Sequence, residues 1–262
     1  MINVIVNGAC GRMGRRIINL LSTQKDLFLC GAVEIPSHPD IGKDVWAVTS
    51  VKVTSSIKDI IKSADVVVDF SSAEGALASA EVCAKYKKAL IIGTTGLSVE
   101  ALSEIESISR IIPCLVSSNM SVGINLLYKL VEQASSILGE EYDVEIIEAH
   151  HRFKKDAPSG TAKTLAENIA QAKEKPLKDI ASYGREGNVG ARPKNEIGIH
   201  AVRAGDIVGD HTVVYAGENE RIEITHRAHS RDIFAKGALR AVKYLADKSP
   251  GLYNMQNVIE EG

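Results

Sequence analysis

The chain's densest chemistry lies in E-A-H-H-R-F-K-K-D-A-P-S-G-T-A-K, Glu148 to Lys163. Two adjacent histidines, His150 and His151, are followed by Arg152, Lys154 and Lys155, and then by Ser159-Gly160-Thr161. Imidazole titrates near neutrality, and a lysine crowded by other cations is pushed towards it, so both can hand a proton to a reacting centre. The Ser-Gly-Thr triplet opens an apolar run at helical spacing, Leu165, Ile169 and Ala172, and reads as a helix start. The first N–H groups of a helix lack internal partners and carry the positive end of its dipole, so a carboxylate or phosphate is the expected guest. Pro158 fixes its own backbone angle and disfavours helix at Ala157, which sets the approach to that start. A solvated charged loop would explain the cations but not the helix start beside them. A metal site is disfavoured, because neighbouring histidines on an extended segment point to opposite sides and no third ligand has suitable spacing.

The elements that must position this segment begin with a strand, Ile2 to Asn7, that runs into Gly8-Ala9-Cys10-Gly11-Arg12-Met13-Gly14 and then a helix carrying Ile17, Ile18, Leu20 and Leu21. A second apolar run, Leu27 to Val33, ends on Glu34, about twenty residues beyond Gly14. That is the layout of a dinucleotide site: glycines let the backbone approach a pyrophosphate, and an acid at the second strand end accepts hydrogen bonds from a ribose. The glycines alone would be a weak signal, since a bare strand-to-helix turn uses them too. Alternation continues with strands 66–70, 89–95 and 111–117 and helices 73–87 and 99–110, predicting a doubly wound parallel sheet of Rossmann type. The strand ends carry Asp69-Phe70-Ser71-Ser72, Gly93-Thr94-Thr95-Gly96 and Ser117-Ser118-Asn119-Met120, small or polar residues suited to lining a cofactor.

A long amphipathic helix over 124–138 follows, then a strand over 144–149 that delivers the reactive segment and a helix over about 161–173. Residues 174–194 read as an extended loop. Strands at 197–202, 212–215 and 222–225 have no helices between them, which predicts an α+β domain on a mixed sheet. A closing helix over 233–245 leaves a short tail with Gly and Pro. His226, His229, Arg227 and Arg231 form a second basic cluster that reads as solvated surface or subunit contact. His38, His200 and His211 are isolated and receive no role, while Arg185 and Arg203 are available to an anionic site.

A formal net charge of -2 argues against nonspecific nucleic-acid or membrane-surface binding, which usually shows as basic excess. Cysteines 10, 30, 83 and 114 have neither metal-type nor redox-type spacing and read as small buried residues on strands. Without a signal segment or an apolar run of membrane-spanning length, a cytoplasmic protein is expected.

Taken together, G-A-C-G-R-M-G, G-T-T-G, S-S-N-M-S-V-G-I-N, the Glu148 segment, R-A-G-D-I-V-G-D-H and I-T-H-R-A-H-S-R resemble the dihydrodipicolinate reductase family nearly end to end. That family, also described as 4-hydroxy-tetrahydrodipicolinate reductase, serves the diaminopimelate route to lysine. The H-H-x-x-K-x-D-A-P-S-G-T-A block is highly specific to it, whereas the glycine fingerprint is generic. The resemblance implies a nicotinamide cofactor among Gly8, Ala9, Cys10, Gly11, Arg12 and Met13, with Glu34 on its ribose. Gly93, Thr94 and Thr95, and Ser117, Ser118, Asn119 and Met120, would complete its surroundings. It further implies proton chemistry by His150 and Lys154, with His151, Gly160 and Thr161 holding the carboxylates of a cyclic imine substrate. Residues 1–121 plus 231–262 would form the nucleotide domain, and 122–230 the substrate domain, whose sheet would build a homotetramer. One departure bears on the cofactor: Ile35 stands where many relatives carry an arginine after the ribose-binding acid, so NADH is expected over NADPH unless another cation, Arg12 being the nearest candidate, compensates. Ser72 and Met120 also replace an arginine and an aromatic of some relatives. The alternatives are another two-domain NAD(P)-dependent amino-acid or semialdehyde dehydrogenase, and a non-catalytic NADH sensor.

Overall fold

The computed structural model describes residues 1–262, Thr49 excepted. The chain divides into two compact units, Met1–Val122 with Asp232–Gly262, and Gly123–Arg231. The first begins with strand β1 (Ile2–Asn7), helix α1 (Arg12–Leu21), strand β2 (Leu27–Val33) and a short hairpin of β3 (Asp44–Val45) and β4 (Val48–Thr54). It continues through β5 (Val66–Asp69), α2 (Ala73–Tyr86), β6 (Ala89–Ile92), α3 (Val99–Ser109) and β7 (Pro113–Val116). The second unit takes up inside α4 (Val122–Leu138) and holds β8 (Asp143–His150), α5 (Gly160–Ala172), α6 (Leu177–Ile180) and β9 (Ala181–Tyr183). Three long strands complete it: β10 (Ile197–Arg203), β11 (Gly209–Ala216) and β12 (Arg221–Ala228). The chain then ends in the first unit with α7 (Asp232–Leu245), β13 (Gly251–Tyr253) and α8 (Met255–Glu261).

The first unit is the expected Rossmann-type sheet, ordered β13-β7-β6-β5-β1-β2-β4-β3, parallel except for the β3–β4 hairpin. Strand alternation splits its core in two. Val4, Val6, Val66, Val68 and Ile91 pack against α1, α7 and α8, whereas Ile5, Val67, Leu90 and Ile92 pack against α2 and α3. From β1 the chain moves one way to β2 and later the other way to β5, so the strand order reverses between β1 and β5. A crevice outside the carboxyl ends of those two strands is the usual ligand position in such sheets.

The second unit is the expected mixed sheet, ordered β12-β11-β8-β10-β9, with β11 antiparallel to both neighbours and β10 parallel to both of its own. Every second residue of β8 and β11, namely Val144, Ile146, Val213 and Tyr215, packs under Leu127 and Val131 of α4 and Leu165 and Ile169 of α5. That inward face continues along β8 to Glu148 and His150, which is how a core strand delivers a charged pair to the site.

Several sequence readings are corrected here. Residues 174–194 are not all loop, because α6 and β9 lie within them, and β9 adds an edge strand of only three residues, too short for periodicity to show. The C-terminal tail is a further parallel strand and helix, β13 and α8, of which Met255 and Val258 are buried in the first core. All four cysteines are free, but only Cys30 and Cys114 lie on strands; Cys10 sits in the glycine turn and Cys83 in α2. Among the described residues, no helix is long and apolar enough to cross a membrane.

In α7, Gly237 lies against the Met120 carbonyl so closely that an added Cβ would collide with its oxygen. Gly237→Ala should therefore cost about 1–3 kcal/mol despite alanine's better helix propensity. Urea unfolding would show this as a lower midpoint at unchanged slope, and an unmoved midpoint would disprove the contact.

Candidate active site

In the first unit, a cavity of about 640 Å3 lies at the reversal point of the sheet, within the size range of small-molecule sites. It is lined by Gly8 and Gly11, by Glu34 and Ile35, and by Phe70, Ser71 and Ser72, of which Phe70 and Ser71 lie directly against Gly8. Gly8 turns the chain with a φ of +74° that side chains rarely adopt, and a Cβ at Gly14 would strike the Gly8 carbonyl. The Glu34 carboxylate accepts the N–H of Cys10 at 3.0 Å and that of Ile35 at 3.0 Å, which ties the end of β2 to the glycine turn. This cradle fits a dinucleotide: backbone open to phosphates, and a fixed carboxylate for ribose hydroxyls.

The other predicted cofactor residues divide by position. Cys10 adjoins the cavity through its N–H to Glu34, Ala9 is buried beneath the turn, Met13 is half-buried, and Arg12 is exposed. Thr94 is buried and gives its hydroxyl to Asp69 at 2.8 Å; Gly93 lies against the Phe70 ring, and Thr95 is exposed. Ser117 bonds the Asn119 carbonyl at 2.8 Å and Met120 is buried, which braces this loop internally, while Ser118 is exposed. Arg12 does not line the cavity; the cation that does is Lys58, beside Ser55 and Ser56. Sequence reading missed that wall, which follows the β3–β4 hairpin and carries no motif. It also missed how Asp69 works: fully buried, its carboxylate accepts from Asn7 at 2.7 Å and from the hydroxyls of Ser71, Ser79 and Thr94 at 2.8 Å each.

In the second unit, Glu148 is fully buried. One oxygen lies 2.5 Å from Nδ1 of His150, the other accepts the Ser159 N–H at 3.0 Å, and Arg203 donates to both at 2.8 Å. Burial would raise the pKa of this carboxyl, but hydrogen bonds from His150, Arg203 and Ser159 outweigh it and hold the group near 2. Ser159 caps α5 by accepting the Ala162 N–H at 3.2 Å, so the helix start and the histidine share one anchor. Gly160 and Thr161 are the first two residues of that helix, and a Cβ on Gly160 would meet no described atom within 4 Å. Lys154 pairs with Asp156 at 2.9 Å, and Arg231 reaches His151 at 3.4 Å. Glu148 thus ties His150 to the helix start at Gly160 and Thr161, whereas the contacts of Lys154 and His151 run to Asp156 and Arg231.

Three residues that the sequence left unplaced or read otherwise join the site: Arg203 was only available to an anion, His211 had no role, and Arg231 was read as surface or subunit contact. Arg203 holds Glu148, Arg231 contacts His151, and His211 lies opposite Glu148 in the β8–β11 register. The His211 ring stands edge-on to His150 at 5.2 Å and bonds Ser159 Oγ at 3.1 Å. Arg203 and His211 on different strands leave no spacing to read, and only the sheet register and the loop after β12 bring them and Arg231 to the site. Arg185, by contrast, is spent on Glu145 and Glu196 away from Glu148.

A nucleotide cradle on a Rossmann-type sheet and a buried carboxylate–imidazole pair at an anion-binding helix start define the class: a two-domain, nucleotide-dependent oxidoreductase. Comparison with known proteins narrows it. Residues 2–120 match the family model described as dihydrodipicolinate reductase, N-terminus, and residues 123–259 match its C-terminus. The 4-hydroxy-tetrahydrodipicolinate reductase of Syntrophus aciditrophicus is 44% identical over 99% of this chain and 98% of its own. That of Syntrophotalea carbinolica is 45% identical over 99% of each. Among solved structures, a dipicolinate-bound dihydrodipicolinate reductase from Paenisporosarcina sp. TG-14 shares the fold, with a TM-score of 0.79 at 24% identity over 97% of both chains. The chain belongs to the dihydrodipicolinate reductase family, NAD(P)H-dependent oxidoreductases that reduce 4-hydroxy-tetrahydrodipicolinate in the diaminopimelate route to lysine.

His211 is pushed down to about 3, first by burial and then by the neighbouring His150. Its pKa is therefore depressed on folding, and below about 6.5 the unfolded chain takes up a proton that the folded chain refuses. Stability should fall as pH drops from about 6.5 towards 3. Glu148, with an ordinary value of 4.5 and a folded value near 2, adds a second loss across that lower window. His211→Gln, which keeps a bond to Ser159 within reach, should flatten the decline between pH 6.5 and 4.5 in denaturant titrations; a slope equal to the parent's would contradict this.

Proposed function

We propose that this chain performs its family's reduction with His150 and Lys154 as proton donors and with His151, Gly160 and Thr161 as holders of the substrate carboxylates. The observation that carries the reading is the Glu148 carboxylate, 2.5 Å from His150 and also bonded to the N-cap of α5. The amides of Gly160 and Thr161 suit one carboxylate of a cyclic imine dicarboxylate, and His151 with Arg231 suits the other. Such a clamp orients the ring before reaction. The dipicolinate bound to the Paenisporosarcina relative is a planar dicarboxylate of the same class. When bound, the nicotinamide supplies the hydride. Reduction of the conjugated ring, with loss of water, leaves an electron-rich carbon on the substrate, and His150 or Lys154 delivers the proton it needs. Lys154 Nζ is held by Asp156 at 2.9 Å with its side chain 21% exposed, within a charged loop that a dicarboxylate would compete to enter.

His150→Gln and Lys154→Ala should each lower turnover by about a hundredfold to ten-thousandfold. Near-normal rates, measured on substrate freshly made from pyruvate and aspartate semialdehyde, would remove the assignment. Binding of NADH without turnover in the parent would favour a sensor instead.

NADH is the preferred donor in this reading. Glu34 is fixed at the ribose position by two backbone N–H groups, and the next residue is the apolar Ile35, 60% exposed. A 2′-phosphate would meet the carboxylate's repulsion, with Lys58 the one Lys or Arg among the described residues lining the cavity to offset it. The expected result is a kcat/KM at least about tenfold higher with NADH, equivalent to about 1.4 kcal/mol. Lys58→Ala should weaken NADPH use while sparing NADH. A clear NADPH preference in the parent would overturn the reading.

The protein works in the cytoplasm as a homotetramer, assembled through the sheet face of the second unit that its own helices leave open. There Ile147 and Val202 are 42% and 44% exposed on neighbouring strands. Light scattering should return about four times the 28.2 kDa chain mass, whereas a monomer would refute the assembly.

A further inference from the structure

An ionised carboxylate can only accept hydrogen bonds, so the ring nitrogen facing it must carry a proton. Glu148 faces Nδ1 of His150 and is held ionised by its donors from three directions. That leaves Nε2 as the nitrogen able to exchange a proton with a ligand. On the Nε2 side stands Gly209, the first residue of β11. A Cβ there would lie 3.1 Å from Nε2 and 3.4 Å from Cδ2 of His150, tighter than ordinary contact. Gly209 pairs with Ala228 in the β11–β12 ladder and is absent from the left-handed glycines, so the backbone does not require it. What a glycine contributes at this position is room.

We propose that Glu148 and Gly209 are positioning residues for His150: the carboxylate fixes the ring with Nδ1 protonated, and the glycine keeps Nε2 accessible. This rests on the reading of His150 as a proton donor. The other groups around the ring are consistent with such a division. From β11, His211 meets it edge-on and stays neutral; from β10, Arg203 neutralises the carboxylate; from the following loop, Lys154 is paired with Asp156. Because the same carboxylate also holds the Ser159 N–H, the proton donor and the anion-binding turn cannot shift independently.

The test uses the full-length enzyme labelled with [15N]histidine, with the His150 signals assigned by their loss in His150→Gln. The expected wild-type pattern has Nδ1 protonated at neutral pH. Glu148→Gln should shift the proton towards Nε2 and lower kcat at least about tenfold, with KM for 4-hydroxy-tetrahydrodipicolinate little changed. Gly209→Ala should keep the Nδ1–H signature yet lower kcat by a similar factor, because only access is altered. Should Glu148→Gln fail to fold, the wild-type spectrum and Gly209→Ala still decide. A bare Nδ1 in the wild type, or wild-type kcat in the folded variants, overturns the proposal. Failure of the underlying reading shows separately, as normal turnover by His150→Gln, whatever tautomer the wild-type spectrum reports.

Discussion

One buried carboxylate organises the second unit. Glu148 lies on the inward face of β8, where the strand periodicity that buries Val144 and Ile146 would ordinarily call for another apolar residue. A charge there is tolerable only when its lone pairs are filled, and four donors fill them: both Arg203 amino groups, the Ser159 N–H and the His150 ring. Buried ion pairs add little stability over an apolar core of equal shape. What this one supplies is geometry, since the end of its own strand, the start of α5 and the end of β10 are fixed to one group. Removing the carboxylate would release all three together.

The first unit uses the same device with neutral partners. Asp69, at the carboxyl end of β5, gathers Asn7 from the end of β1, Ser71 and Ser79 from the α2 side and Thr94 from the end of β6. These are the strand ends at which the sheet order reverses, so the crevice is braced by hydrogen bonds rather than by charge pairs. On the proposed reading a dinucleotide would be met by backbone and by Glu34, and a second unneutralised carboxylate facing it would repel its phosphates. Asp69 is instead fully enclosed by its donors.

Much of this was legible in the sequence because the signals are local. A glycine turn after a β-branched run, Glu34 at its distance and a Ser-Gly-Thr helix start are each contained in a few residues, and their geometry follows from their own backbone. Strand and helix alternation over residues 2–33 and 66–138 was equally plain, but the β3–β4 hairpin between them was not read, β3 being only two residues long. What was not legible depends on register. His211, Arg203 and Arg231 join the site through pairing of β8, β10 and β11 and the loop after β12, and nothing in a linear pattern says that residue 211 opposes residue 148. The three-residue strands β9 and β13 escaped for another reason, as three positions cannot display alternation. The cavity wall at Ser55–Lys58 is positional too, because only the fold carries it to Ile35.

A buried anion beside the site proposed here for a dicarboxylate looks self-defeating until the charges around it are followed. Arg203 approaches Glu148 with both amino groups and also bonds the Asp156 carbonyl, so the carboxylate's field is cancelled at its source. His211 stays uncharged between Glu148 and Ser159, which keeps a stray cation from competing with His150 for the carboxylate. The remaining positive character then faces outward: Lys154, Arg231 on His151, and the amides of the α5 start. Asp156 pairs with Lys154, so on the proposed reading a substrate carboxylate near that amine would have to displace it. Exchange of one carboxylate for another costs less than stripping an isolated ammonium of its water. The Lys154–Asp156 pair therefore holds the lysine without burying it as an uncompensated charge.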